Sequence, residues 1–312
     1  MQTNAKCGVS KIFSGGKLEP LIMLADIRMT ASLLKLRIGF AIAASALAGI
    51  AATNGPLPSL WQSGGLALAV LGASGAAGAF NHYYERDLDR LMKRTCSRPF
   101  ATGMFQASPL WPAGFLVLLA ASLALAAATG GTMAAIFVFM GAFTYGIVYT
   151  VWLKRRSVWN IVIGGLAGSF AVLAGSAAVD PLPQVVPTLL AIMLFLWTPP
   201  HFWSLAAAKG SDYTRADVPM LPVVAPLHAW TLAILSHTAA LVAVSLVPLW
   251  YGKGLFYGLG AGLGGVIFLL KSWQLYRRPI ARNAMKNFFA SLLQLAFLIA
   301  GILADRAFGP WP

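Results

Sequence analysis

Residues 80–99 read FNHYYERDLDRLMKRTCSRP and close a long apolar, glycine-rich segment with an abrupt change to charge. Such a switch marks the edge of a membrane span. Asn81, Glu85 and Asp89 fall at i, i+4 and i+8, so a continuing helix stacks them along one face. Asp87 lies about 200° around the helix from Glu85 and points elsewhere. Oxygen ligands in a row suit a hard cation such as Mg2+, which is usually held by a few carboxylates together with substrate phosphates. Arg90, Lys93, Arg94 and Arg98 follow directly, and these cations could meet such phosphates. The competing reading is a helix end with a solvated cluster of juxtamembrane charge. The register of one Asn and two acids weighs against it, as does a second acidic cluster later in the chain.

The composition points the same way. Of 312 residues, 58% are hydrophobic and 10% charged, against about 25% charged in a typical soluble domain. An all-α, polytopic membrane protein is expected. The net charge of +14 then reports topology rather than a nucleic-acid partner. Residues 1–34 form a mixed, polar tail, expected to be disordered in part or to lie on the membrane surface, with no signal peptide in it. Residues 35–312 form a single transmembrane domain. Cys7 and Cys96 lie in polar segments on the inferred cytoplasmic side, where a disulfide is not expected.

About 20 apolar residues cross the hydrocarbon core as a helix. Nine segments meet or approach that length: 36–54, 61–81, 108–128, 132–152, 158–179, 184–206, 227–249, 254–274 and 287–308. Breaks fall at Asn54-Gly55-Pro56, Thr129-Gly130-Gly131, Asp180-Pro181 and Tyr251-Gly252. All of the 23 Lys and Arg except Lys253 and Arg306 then fall on one side. That places the N-terminus in the cytoplasm and the C-terminus outside, around a central cavity that opens to the cytoplasm. Glycines inside the spans, among them Gly72, Gly75, Gly78, Gly164, Gly168, Gly260 and Gly264, allow close helix packing.

The sixth span ends in FLWTPPHFWSLAAAKGSDYTRADVPMLPVV, at residues 195–224. Asp212 and Asp217 follow it, with Lys209 and Arg215 beside them. Alone this is a weak signal, more in keeping with a solvated loop. It gains weight because it repeats the arrangement after the second span, as a diverged duplication would. Two acidic sites meeting over one cavity could hold Mg2+ on a single diphosphate. Of the histidines, His201 lies at the Pro199-Pro200 break and is either a ligand contact or a hydrogen-bonded structural residue. His82 is read as structural and pointing off the acidic face, and His228 and His237 as non-catalytic.

NHYYERDLDRLMKRTCSRP resembles the first acidic motif of the UbiA superfamily of intramembrane prenyltransferases. WTPPHFWSLA, DYTRADVPMLPVV and YTVWLKRRSVWN resemble blocks of that superfamily's haem-farnesylating branch. The resemblance implies transfer of farnesyl from farnesyl diphosphate to haem b, with Mg2+ as cofactor. It implies a bacterial inner-membrane location, with haem A synthase or oxidase-assembly proteins as further partners. By the motifs, Asn81, Glu85, Asp89 and Asp212 would bind Mg2+–diphosphate, and Arg94, Arg98, Lys154, Arg155 and Tyr149 would grip the diphosphate. His201 would contact haem. Glu85 stands where the family usually has Asp, and Asp217 where this branch commonly has Gly, so Asp217 is carried over only weakly. A different aromatic acceptor, or a transporter with intramembrane acids, are the rival readings.

Overall fold

The computed structural model describes residues 29–309. Most of the 1–34 tail lies outside that range, as does Cys7 and with it the expectation about a disulfide to Cys96. The described residues form helices and no strands. In chain order these are α1 (Leu36–Ala52), α2 (Leu60–Tyr84), α3 (Arg86–Leu91), α4 (Pro99–Thr102) and α5 (Leu110–Phe143). A π-helix (Thr144–Leu153) continues α5. Then come α6 (Asn160–Gly164), α7 (Leu166–Ala177), α8 (Val185–Ala208), α9 (Gly210–Arg215) and α10 (Leu221–Val224). The last are α11 (Leu227–Leu246) with a 3-10 turn (Val247–Tyr251), α12 (Leu255–Arg277) and α13 (Ala281–Phe308).

Seven helical runs among the described residues are long and apolar enough to cross a membrane, and α1 is a shorter apolar helix of 17 residues. The chain is an integral membrane protein. Large apolar side chains such as Leu60, Leu110 and Leu116 stand exposed on the outer faces, as lipid contact requires. The run Leu110–Leu153 spans 44 residues. As a straight helix it would reach about 66 Å, roughly twice the hydrocarbon core. It is interrupted at Gly131 (φ 83°, ψ 172°), a backbone region essentially reserved for glycine. The sequence separates two segments here, and the structure makes the separation with one residue.

The long helices pack in a closed ring: α1 on α2, α2 on α5, α5 on α7, α7 on α8, α8 on α11, α11 on α12, α12 on α13, and α13 back on α1. Direct α1–α7 and α8–α13 packing crosses the ring. Ala48, Ala51, Val172, Leu190, Met193, Leu298 and Ile302 fill that centre. At the α1–α7 crossing, a Cβ on Gly175 would stand 1.8 Å from the Ala46 carbonyl oxygen, and one on Gly49 2.1 Å from that of Val172. Only glycine lets the two backbones approach so closely.

The Pro199-Pro200 pair does not break α8, which runs helically through both. A polar seam runs beside it. Asn287 Nδ2 donates to Ser204 Oγ at 2.9 Å, Ser272 Oγ donates to Asn287 Oδ1 at 2.9 Å, and Thr238 and Ser272 share a hydrogen bond of 2.9 Å. These bonds tie α8, α11, α12 and α13 together inside the apolar core. Ser204 Oγ also donates to the Pro200 carbonyl at 2.6 Å, as polar side chains do around intramembrane prolines.

Candidate active site

The acidic face predicted at the end of the second span survives a break in helix assignment at Glu85. The Glu85 amide still bonds to Asn81 O at 3.0 Å and the Asp89 amide to Glu85 O at 2.8 Å. The i, i+4, i+8 stacking therefore holds across the α2–α3 junction. All three side chains are buried.

Each acid meets a base from elsewhere in the chain. Glu85 Oε2 forms an ion pair with Lys154 Nζ. Asp89 accepts from Arg98 Nη1 through both oxygens, each at 2.9 Å. Asn81 Oδ1 accepts from Lys35 Nζ at 2.7 Å, and the same ammonium donates to Tyr145 OH at 2.7 Å. Asn81 Nδ2 completes its set on Thr150 Oγ1 at 3.1 Å.

The π-helix supplies Tyr145 and Thr150, and Lys154 caps its end. Its i→i+5 bonding appears where the Lys154 amide reaches the Tyr149 carbonyl at 2.9 Å. A π-helix is rare and often marks a functional site, because the wider turn redirects side chains. Here it stacks Tyr145 on Tyr149, with ring centroids 5.6 Å apart, and brings Lys154 to 5.6 Å from the Tyr149 ring.

The second acidic segment closes on the first. Asp212 Oδ1 accepts the Lys93 amide at 3.2 Å and is paired with Arg215. Arg215 Nε also donates to the Leu91 carbonyl at 3.1 Å, and Arg94 donates to Tyr213 OH at 3.2 Å. Asp212 is buried. The strand of chain that carries Arg98 is pinned by an aromatic cluster of Tyr83, Phe100, Phe105 and Trp111, and by Arg90 Nε donating to Ala101 O at 2.9 Å.

Burial raises the Asp89 carboxyl above its ordinary range, against the opposing pull of Arg98. Asp87 behaves oppositely. Burial pushes it up, but the Arg155 fork outweighs that and holds it below the ordinary range. The Asp87–Arg155 pair lies at the surface, its side chains 61% and 35% exposed. The structure therefore places Arg155 outside the buried group that it was expected to join. Asp217 is exposed and has φ 50°. That left-handed backbone favours glycine, the residue that the resembling branch commonly has there.

His201 belongs to a different cluster. Its ring is stacked between Trp197 and Phe288, at 4.2 and 4.4 Å between centroids. Its Nδ1 lies 2.7 Å from Ser291 Oγ. Ser291 commits its one proton to the Phe288 carbonyl at 2.6 Å, so Nδ1 donates and Nε2 keeps its lone pair. The two helices thus hold the ring in the tautomer that suits an Nε2 ligand.

Lys35 is the site residue that sequence reading missed. It looks like any juxtamembrane cation, and only the fold shows it lying against Gly78 with its ammonium on Asn81. His82, expected to point off the acidic face, is buried beside Asn81. Among the described residues no three Asp, Glu, His or Cys side chains converge as a closed metal cage. Glu85 Oε1, however, is buried with no partner. An open set of hard oxygen donors with one orphaned oxygen fits a Mg2+ ion that takes its remaining ligands from phosphate and water.

The model of the UbiA prenyltransferase family matches residues 42–298, and the chain belongs to that family. Within it, the chain is 55% identical over 283 residues to Protoheme IX farnesyltransferase 2 of Paramagnetospirillum magneticum, covering 91% of this chain and 98% of the relative. It is 42% identical over 246 residues to Protoheme IX farnesyltransferase of Rhizorhabdus wittichii, covering 76% of this chain and 80% of that protein. The fold resembles that of a UbiA homologue from Archaeoglobus fulgidus bound to GPP and Mg2+, with a TM-score of 0.68 and 17% identity. That likeness covers 88% of this chain and 99% of the other. It also resembles a digeranylgeranylglyceryl phosphate synthase, with a TM-score of 0.74, 14% identity and coverage of 90% and 99%.

Proposed function

We propose that this chain is a Mg2+-dependent protoheme IX farnesyltransferase. It would join the farnesyl group of farnesyl diphosphate to the 2-vinyl group of haem b, with addition of water, giving haem O and diphosphate. The observation that carries this reading is the meeting of two acidic segments, each already matched to bases. The relatives named for this activity and the prenyl diphosphate and Mg2+ in the Archaeoglobus homologue support it.

The chemistry follows from the residues present. Breaking the C1–O bond leaves its electron pair on the diphosphate and a positive charge on the allylic carbon. Lys154, Arg98, Lys35 and Arg94 stand ready to hold the leaving group, exchanging carboxylate or amide partners for phosphate oxygens. Asn81, Glu85, Asp89 and Asp212 would hold Mg2+, and Asp217 would contribute only weakly from its exposed position. Bound Mg2+ would neutralise the departing charge. The stacked Tyr145 and Tyr149 rings offer faces to the allylic cation, each worth roughly 0.5–2 kcal/mol. The vinyl group attacks that cation and forms the new C–C bond. The cation left on the haem side takes hydroxide from water, and the proton passes to solvent. The His201 Nε2 lone pair would hold the haem iron and set the pose.

The same reading gives nine crossings with the N-terminus inside. It counts α1 as the first and divides the Leu110–Leu153 run at Gly131. The one-sided cation distribution supports an active face on the cytoplasmic side, and this reading sets the protein in the inner membrane of a bacterium with its site opening inward. Haem A synthase or oxidase-assembly proteins would take the product. The test is purified protein in detergent, supplied with farnesyl diphosphate, haem b and Mg2+. Haem O with one diphosphate per turnover is expected. Diphosphate release only with another aromatic acceptor would move the reading to a different UbiA-type substrate.

A further inference from the structure

His82 is 2% exposed, and neither ring nitrogen has a hydrogen-bond partner. A buried imidazole left so is costly, unless something else in the working protein meets it. The surroundings say what that would be. His82 sits three residues before Glu85 and seven before Asp89, on the helical spacing that shares a face. Lys35, Arg98 and Lys154 hold Asn81, Asp89 and Glu85, the residue before His82 and two acids that follow it. The three cations outnumber the two carboxylates that they meet, Glu85 and Asp89, and so favour a further anion there. A neutral imidazole offers one N–H donor and one lone pair.

We propose that His82 is a substrate-binding residue that donates a ring N–H to an oxygen of the bound prenyl diphosphate. The inference rests on the reading of the buried acid–base cluster as a diphosphate site. It adds a neutral imidazole donor to a site otherwise read as metal, cations and the Tyr149 hydroxyl. A neutral donor contributes orientation without adding charge, so it helps to fix which oxygen faces the metal side and which faces the arginine.

The test uses inorganic diphosphate with Mg2+ as a non-reacting probe, alongside steady-state kinetics. His82→Leu should raise the inhibition constant of diphosphate and the KM for farnesyl diphosphate by about tenfold, the loss of one hydrogen bond to a charged acceptor. The KM for haem b should stay unchanged. His82→Gln, which keeps an N–H donor, should recover most of the loss. In the wild-type protein, with histidine 15N-labelled, the His82 ring signals should shift when diphosphate is added, a readout that needs no variant to fold. Unshifted ring signals, or unchanged constants in His82→Leu, would overturn the proposal. Arg98→Gln separates the two levels. If it weakens diphosphate and His82→Leu does not, only the His82 role fails. If neither does, the diphosphate site itself has been misread.

Discussion

The Lys93 amide donates to the Asp212 carboxylate at 3.2 Å, joining segments 119 residues apart. A backbone donor fixes Asp212 against the loop that follows the first acidic face, whatever the Lys93 side chain does. Together with Arg94 on Tyr213 and Arg215 on Leu91 it makes one surface from two parts of the chain.

Lys154 and Arg155 are neighbours in sequence with opposite surroundings. Lys154 is buried on Glu85, whereas Arg155 holds an exposed Asp87. Lys154→Gln leaves a buried carboxylate unpaired and should cost about 3–5 kcal/mol of stability, with loss of turnover. Arg155→Gln should cost no more than about 1 kcal/mol and leave kcat within a few-fold. Thermal denaturation in detergent and haem O formation measure both.

Asp217 holds a left-handed backbone with its side chain exposed. Asp217→Gly relieves that conformation and should leave turnover unchanged, with stability equal or higher by up to about 1 kcal/mol. Asp217→Val should be destabilised, because a β-branched residue resists positive φ. A large loss of turnover in Asp217→Gly would instead return a metal role to this carboxylate.

Gly175→Ala should be among the most damaging small substitutions in the chain. Its Cβ would fall inside the Ala46 carbonyl of α1, which is backbone and cannot rotate away. A loss of about 1–3 kcal/mol or more is expected from forced separation of the helices. Gly262→Ala, where a Cβ meets nothing within 4 Å, is the control that should lose nothing.

His201→Ala should shift the absorption of protein-bound haem and raise the KM for haem b, leaving the KM for farnesyl diphosphate unaltered. Ser291→Ala removes the acceptor that fixes the tautomer and should produce a weaker version of the same shift. An unchanged haem spectrum in both would make the ring a packing element between Trp197 and Phe288.

The acidic stripe was legible because it depends on local periodicity alone: Asn81, Glu85 and Asp89 needed only a continuing i→i+4 ladder, and that ladder holds. The apolar segments were legible for the same reason. Partners were not. Glu85 meets Lys154 and Asn81 meets Lys35 through the ring closure of the helices, which no local pattern encodes. The π-helix at Thr144–Leu153 reads in sequence as ordinary apolar helix. The double proline reads as a break, yet α8 continues because a membrane helix has few alternatives to its own hydrogen bonds. Asp217 looked like an acid, and its backbone angle is what distinguishes the position.

The central claim is that Asp89 and Asp212 act on one anion, and a double-mutant cycle on diphosphate binding tests it most directly. Calorimetric titration of diphosphate, with Mg2+ present, would be run on the wild type, Asp89→Asn, Asp212→Asn and the double variant. Residues that share one ligand should couple by about 0.5–3 kcal/mol, so the double variant should lose clearly less than the two single losses added. Simple additivity, or an Asp212→Asn protein that binds diphosphate as tightly as the wild type, would contradict a single shared site.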